Sequence, residues 1–344
     1  MKCKTYKVIV LAALFALALM TEAQANVTGD CVNCHTMHNS QNGSAMATDD
    51  NGVPTNTPYN GLLKYSCLGC HTATNATTWK DPVTNAPIVY NSVAPTYNSA
   101  KGLAGGNFYY VKSVDQDLGH NVLGVTTADA TLGNTPPGGS ALGGQISCAG
   151  TNGCHGHNGR QSGDTAQANQ ITAMKGAHHG KAAPPLTGSL TDISKNYRFL
   201  LGIAGKEDAD WEQETTTNHN DYKGATSFSD TTSMSFLCGE CHGNFHSTSG
   251  VGSASPWVRH PTDILLPQGA TEYNAYNPTT TYNNTAPVAY TDPQNPSRGT
   301  AVVMCLSCHR AHASPYYKAI RWDYKSATLA TAIAGCNVCH TSKN

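Results

Sequence analysis

Cys31-Val32-Asn33-Cys34-His35 opens a pattern that recurs through this chain and decides how it folds. The same Cys-x-x-Cys-His spacing returns at Cys67, Cys70 and His71, at Cys238, Cys241 and His242, at Cys305, Cys308 and His309, and at Cys336, Cys339 and His340. A sixth, stretched version has five residues between its cysteines: Cys148, Cys154 and His155. Together they use 12 of the 13 cysteines. Two thiols three residues apart, followed at once by an imidazole, are the signature of covalent c-type haem attachment. The thiols become thioethers, and the histidine becomes the proximal iron ligand. A disulfide framework has no need of a histidine after every second cysteine, and zinc sites would need the pairs to cooperate. The insert Ala149-Gly150-Thr151-Asn152-Gly153 is small and flexible, so it can bulge while both thiols reach one ring.

Six haems predict a fold built around them. Gly, Ser, Thr, Asn and Pro dominate between the motifs, and long helical periodicity is nearly absent. Stretches such as 103–139 and 269–300 read as turns and coil. The expectation is a mostly irregular chain with short helical turns at the motifs and few short strands. The haem stack serves as its core. Successive motifs begin 36, 81, 90, 67 and 31 residues apart, which argues against a regular solenoid.

The N-terminus predicts export. Lys2, Lys4 and Lys7 precede an apolar run from Val8 to Met20, and Ala23-Gln24-Ala25 is a small-x-small cleavage site. The expected division is a signal peptide at 1–25 and a single hexahaem domain at 26–344, secreted through the periplasm, with no later transmembrane span. The unpaired Cys3 leaves with the signal. Charged residues are 12% of the chain, about half the usual share. With a net charge of −1, nothing suggests nucleic acid. Weak self-repulsion favours association.

There are 15 histidines. Six are proximal: His35, His71, His155, His242, His309 and His340. The expected distal ligands are His38, His120, His246, His260, His312 and one or both of His178 and His179. His157 and His219 are next in line. His38 and His312 follow a proximal histidine by three residues and His246 by four, so each shares a helical face with it. None can reach the far side of the same iron, so each should bind a neighbouring haem. Met37 and Met304 are expected to pack rather than ligate.

Several landmarks carry a family likeness: residues 31–40 (CVNCHTMHNS), Gly119-His120-Asn121, Asn196-Tyr197-Arg198-Phe199-Leu200, Arg259-His260-Pro261, residues 305–314 (CLSCHRAHAS) and Cys339-His340. In this order they resemble the extracellular hexahaem cytochromes that polymerise into filaments in metal-reducing bacteria. The resemblance implies six bis-histidine haems in a continuous stack and head-to-tail assembly into a homopolymer. It also implies that His38 ligates the haem of His309 in the next subunit. The chain departs from the family at the stretched third motif and in having His178-His179.

Two imidazoles per iron leave no open position for substrate. The expected function is therefore electron transfer, not catalysis, toward another cytochrome or an extracellular acceptor. A monomeric periplasmic or surface shuttle is the alternative. A multihaem reductase would need a five-coordinate haem and is disfavoured by the histidine surplus.

Overall fold

A computed structural model describes residues 29–49, 53–95, 103–180, 185–208, 215–247, 259–269 and 271–342. The expected signal peptide lies outside these residues. Regular structure within them is sparse. The α-helices run four to six residues and the strands two or three. Gly, Pro and Asn are frequent between these short elements and keep helices from extending.

A six-stranded sheet forms one organised region. It is built from β3 (Leu186–Thr187), β4 (Ala204–Lys206), β5 (Asp221–Lys223), β6 (Ile264–Leu265), β7 (Ala289–Tyr290) and β8 (Ala301–Val303), in the order β6-β8-β7-β5-β4-β3. Every pairing is antiparallel except β5 with β7, which register Tyr222 opposite Ala289. A separate parallel pair, β1 (Ser147–Ala149) and β2 (Gly153–His155), belongs to the third cysteine motif. The stretches read as coil hold more order than their composition suggests. Helix Tyr109–Ser113 lies in one and β7 in the other. β7 is two residues long and central in the sheet, so its pairing partners define it rather than any local pattern.

The buried side chains form small clusters, each against a cysteine motif. Leu186, Tyr197, Leu200, Ile203, Tyr222, Ala289 and Val302 from the sheet region pack with Met234, Met304 and Leu306, which flank the fourth and fifth motifs. Phe108, Tyr110, Val111, Leu118 and Val122 gather around Leu68 inside the second motif. Met304 packs as expected, at 1% exposure, whereas Met37 is 93% exposed. Polar side chains staple the loops between. Asn196, fully buried, donates to the carbonyls of Ser189, Asp192 and Ile193 and accepts from the Gly202 amide. A side-chain amide has two donor hydrogens and a carbonyl oxygen, so this one residue ties four points of loop together.

Candidate haem-binding sites

Five motifs bring their three groups together by closing one turn of backbone. The histidine amide donates to the carbonyl of the first cysteine at 2.8 Å for His35, 2.9 Å for His242, 3.1 Å for His309 and 2.9 Å for His340. Cys67–His71 is a helix over its whole length. Residues i, i+3 and i+4 of such a turn share a face, so both thiols and the imidazole present to one side.

The third motif reaches the same result differently. β1 and β2 run parallel with Ser147 opposite Gly153 and Ala149 opposite His155, which places Cys148 beside Cys154. Adjacent strands lie about 4.8 Å apart, close to the roughly 5–6 Å between side chains three apart on a helix. The five-residue insert thus loops out and returns the second thiol to its usual place. Arg160 fastens the loop. Its guanidinium donates to the carbonyls of Thr151 (3.3 Å) and Gly153 (2.5 Å) and, through Nε, to the Glu240 carboxylate at 3.1 Å. Burial pushes the Glu240 carboxyl up, and Arg160 pulls against it. Replacing Arg160 by Met leaves Glu240 buried and frees the insert. The expected result is incomplete attachment at this motif alone. Intact mass should show a mixture of chains differing by one haem, against a uniform parent.

Apart from Cys305, which the Cys238 thiol pulls down, the thiols whose shift is resolved are pushed away from the thiolate. Burial pushes those of Cys70, Cys154 and Cys339 up to about 11 and Cys308 up to about 12. A zinc site or a cysteine nucleophile requires the opposite shift. Among the described residues no disulfide forms, and no three His, Cys, Asp or Glu side chains converge on a point.

The histidines instead meet in pairs. Ring centroids stand 5.7 Å apart for His35 and His179, 6.2 Å for His71 and His178, 6.1 Å for His242 and His120, and 6.2 Å for His340 and His260. A metal–imidazole bond is about 2.0 Å, so two rings on opposite faces of one ion stand roughly 6 Å apart. Each pair joins a proximal histidine to a residue far from it in the chain. His178 and His179, adjacent on one short turn, face two different proximal rings. His155 and His309 meet no imidazole at this spacing among the described residues. His155 is one of three imidazoles near His312, with His120 and His71. His309 and His38 are both exposed.

Hydrogen bonds prepare the rings as ligands. Nδ1 of His35 bonds the carbonyl of Gly61 at 2.7 Å, His71 that of Pro87 at 2.9 Å, and His155 that of Arg198 at 2.8 Å. His242 bonds Pro137 at 2.8 Å and His309 bonds Lys318 at 3.0 Å. A carbonyl has no proton to give, so Nδ1 carries it and Nε2 keeps its lone pair for a metal. Burial also holds His71, His120 and His155 below the ordinary imidazole range, His178 at about 4 and His312 at about 3. Neutral imidazoles are what coordination needs. These thiols, rings and spacings fit a haem in each motif.

His246 meets a carboxylate rather than another imidazole. Its Nε2 lies 2.9 Å from a carboxylate oxygen of Asp263, and both side chains are buried. Phe228 meets the ring edge-on at 4.8 Å. The carboxylate takes Nε2 and leaves Nδ1 as the ring nitrogen open to a metal. Asp263, distant in the chain, gave no local signal. His157 is tied through Nδ1 to Asp164 at 2.5 Å, which leaves its buried Nε2 open to a metal as in the proximal rings, and His219 stacks on Tyr282 at 3.7 Å.

A family model described as a doubled CXXCH motif matches residues 299–344. The C-type cytochrome OmcS of Geobacter sulfurreducens is 26% identical over 384 aligned residues, which cover 92% of this chain and 84% of OmcS. The chain resembles OmcS. Solved structures of the outer membrane cytochrome S filament and of the OmcS nanowires from that organism align with 93% of this chain and 100% of theirs. Identity is 20% in both, with TM-scores of 0.47 and 0.48. No helix among the described residues is long and apolar enough to cross a membrane.

Proposed function

We propose that residues 26–344 form a single unit that carries six covalent c-type haems and conducts electrons along them outside the cell. Residues 1–25 direct its export. The observation that carries this reading is the set of four imidazole pairs about 6 Å apart, each built on a Cys-x-x-Cys-His histidine. His35 takes His179 as its distal partner, His71 takes His178, His242 takes His120 and His340 takes His260. His155 takes His312.

That leaves His309, which is exposed and lies in a motif, and His38, which is exposed and follows His35 by three residues as His312 follows His309. His38 of one copy completes the fifth site of the next, and the chain polymerises head to tail. A contact between two different patches propagates unless its rotation closes a ring. The likeness to OmcS, whose solved forms are a filament and nanowires, supports the same assembly. Iron held between two imidazoles exchanges an electron with little rearrangement and offers no position to a substrate. The protein is therefore an electron carrier rather than an enzyme. Its redox partners are other copies of itself, other cytochromes or an extracellular acceptor.

Intact mass and electron microscopy of the purified protein test this together. The mass should exceed the polypeptide 26–344 by six haems, and the micrographs should show filaments. A mass without haems would overturn the reading. Six haems on a monodisperse monomer would leave a shuttle and remove the filament.

A further inference from the structure

Three stretches far apart in this chain fold into the same turn. They are Asn60-Gly61-Leu62, Tyr197-Arg198-Phe199 and Tyr317-Lys318-Ala319. In each, the middle residue is left-handed: φ is 66° at Gly61, 48° at Arg198 and 55° at Lys318. So is the residue after it, at 55°, 59° and 58°. Side-chain-bearing residues rarely adopt this conformation. Ten non-glycine residues among those described do so, three of them asparagines, which tolerate it. Five of the other seven lie in these turns, so the strain is concentrated there.

Each turn does the same thing. The first left-handed carbonyl accepts the Nδ1 proton of a proximal histidine: Gly61 from His35, Arg198 from His155 and Lys318 from His309. The second accepts the amide of the residue after that histidine: Leu62 from Thr36 at 2.8 Å, Phe199 from Gly156 at 2.9 Å and Ala319 from Arg310 at 2.8 Å. Consecutive residues of one helical hand point their carbonyls the same way. Two left-handed residues therefore offer a pair of parallel acceptors to the ring and its backbone. The first, third and fifth motifs have this grip. The second and fourth use single carbonyls of Pro87 and Pro137, and the sixth histidine has the Glu272 carboxylate 3.7 Å away. Strained backbone persists where its surroundings over-determine it, often where function needs the geometry.

We propose that Gly61, Arg198 and Lys318 are positioning residues for the first, third and fifth haems. This rests on the haem reading above. Their turns fix the plane of the proximal imidazole and strengthen its donation to iron through the Nδ1 hydrogen bond. Stronger donation favours ferric iron, so the gripped haems sit at lower potential than the same ligands would give unheld.

The test compares Lys318→Gly with Lys318→Val in the full-length, haem-loaded protein. Both remove the ammonium that pairs with Asp117 at 2.9 Å, so charge cancels between them. Glycine enters the left-handed region freely, and a β-branched side chain does not. Intact mass counts the haems, redox titration reads potentials, and low-temperature paramagnetic resonance reads the low-spin signals. Lys318→Gly should keep six haems and the parent's low-spin signals. Lys318→Val should keep six haems, but one should titrate at higher potential, with its reduction equilibrium moved about ten-fold, and one low-spin signal should change. If Lys318→Val does not accumulate, Gly61→Val read against the parent makes the same comparison at the first haem. A Cβ there has room, its nearest neighbour being the His35 ring at 3.9 Å. Six haems with valine and glycine variants superimposing would overturn the positioning role and leave the haem reading intact. A haem-free parent would overturn the haem reading itself.

Discussion

His38→Ala should abolish filaments and leave one haem per subunit high-spin or water-ligated. His38 is exposed on the segment that follows the first motif, beside Met37 at 93% exposure. His309 is equally exposed, and its Nδ1 is already committed to Lys318, so Nε2 is the nitrogen available to iron. No other imidazole stands across from it among the described residues. A large exposed apolar side chain next to an exposed ligand is what a contact between copies would cover. Losing an iron–nitrogen bond at each junction removes the one directed link, so the effect should be all or nothing rather than graded. His309→Ala need not match it, because the proximal ligand also anchors the fifth haem in its own chain. Visible absorption and paramagnetic resonance would count high-spin iron while microscopy counts filaments. Unchanged filaments with every haem low-spin in His38→Ala would exclude the inter-subunit bond.

Substitution at the histidine pair 178–179 should have the next largest effect, and a separable one. His178→Ala should free the iron of His71, and His179→Ala the iron of His35, because the rings pair at 6.2 Å and 5.7 Å respectively. Each single variant should show one high-spin haem of six, and the double variant two. The two singles should differ in which redox transition moves, since they strip different sites. If both rings ligate as proposed, the turn at Ala177–His179 joins the first two haems, and the double variant should loosen that whole end of the stack. Loss of the same single haem in both variants would mean that one histidine is spare, and the pairing would fall.

The shared acceptor turns were visible in part. Asn196-Tyr197-Arg198-Phe199-Leu200 stood out as a landmark of the family likeness, but nothing in it announced a carbonyl aimed at His155. Backbone groups carry no residue identity, so a site built from carbonyls leaves little trace in side-chain pattern. Gly61, Arg198 and Lys318 share a conformation and not a residue type. The third motif was legible as a stretched signature with a flexible insert. Its closure into a parallel pair, and the Arg160 brace across it, depend on partners outside the motif.

By itself the sequence determined the cysteine and proximal histidine positions and the scarcity of regular structure. Those follow from covalent spacing and composition, because one turn of backbone necessarily brings i, i+3 and i+4 together. Which imidazoles face one another was decided only by the tertiary structure. His246 and His312 look alike in the chain, each one turn past a proximal histidine. One ends with Nε2 on the buried carboxylate of Asp263, and the other in a dry site near His155 that holds its imidazole at about 3. What each ring nitrogen meets depends on what the fold sets across from it. No spacing along the chain specifies that neighbour.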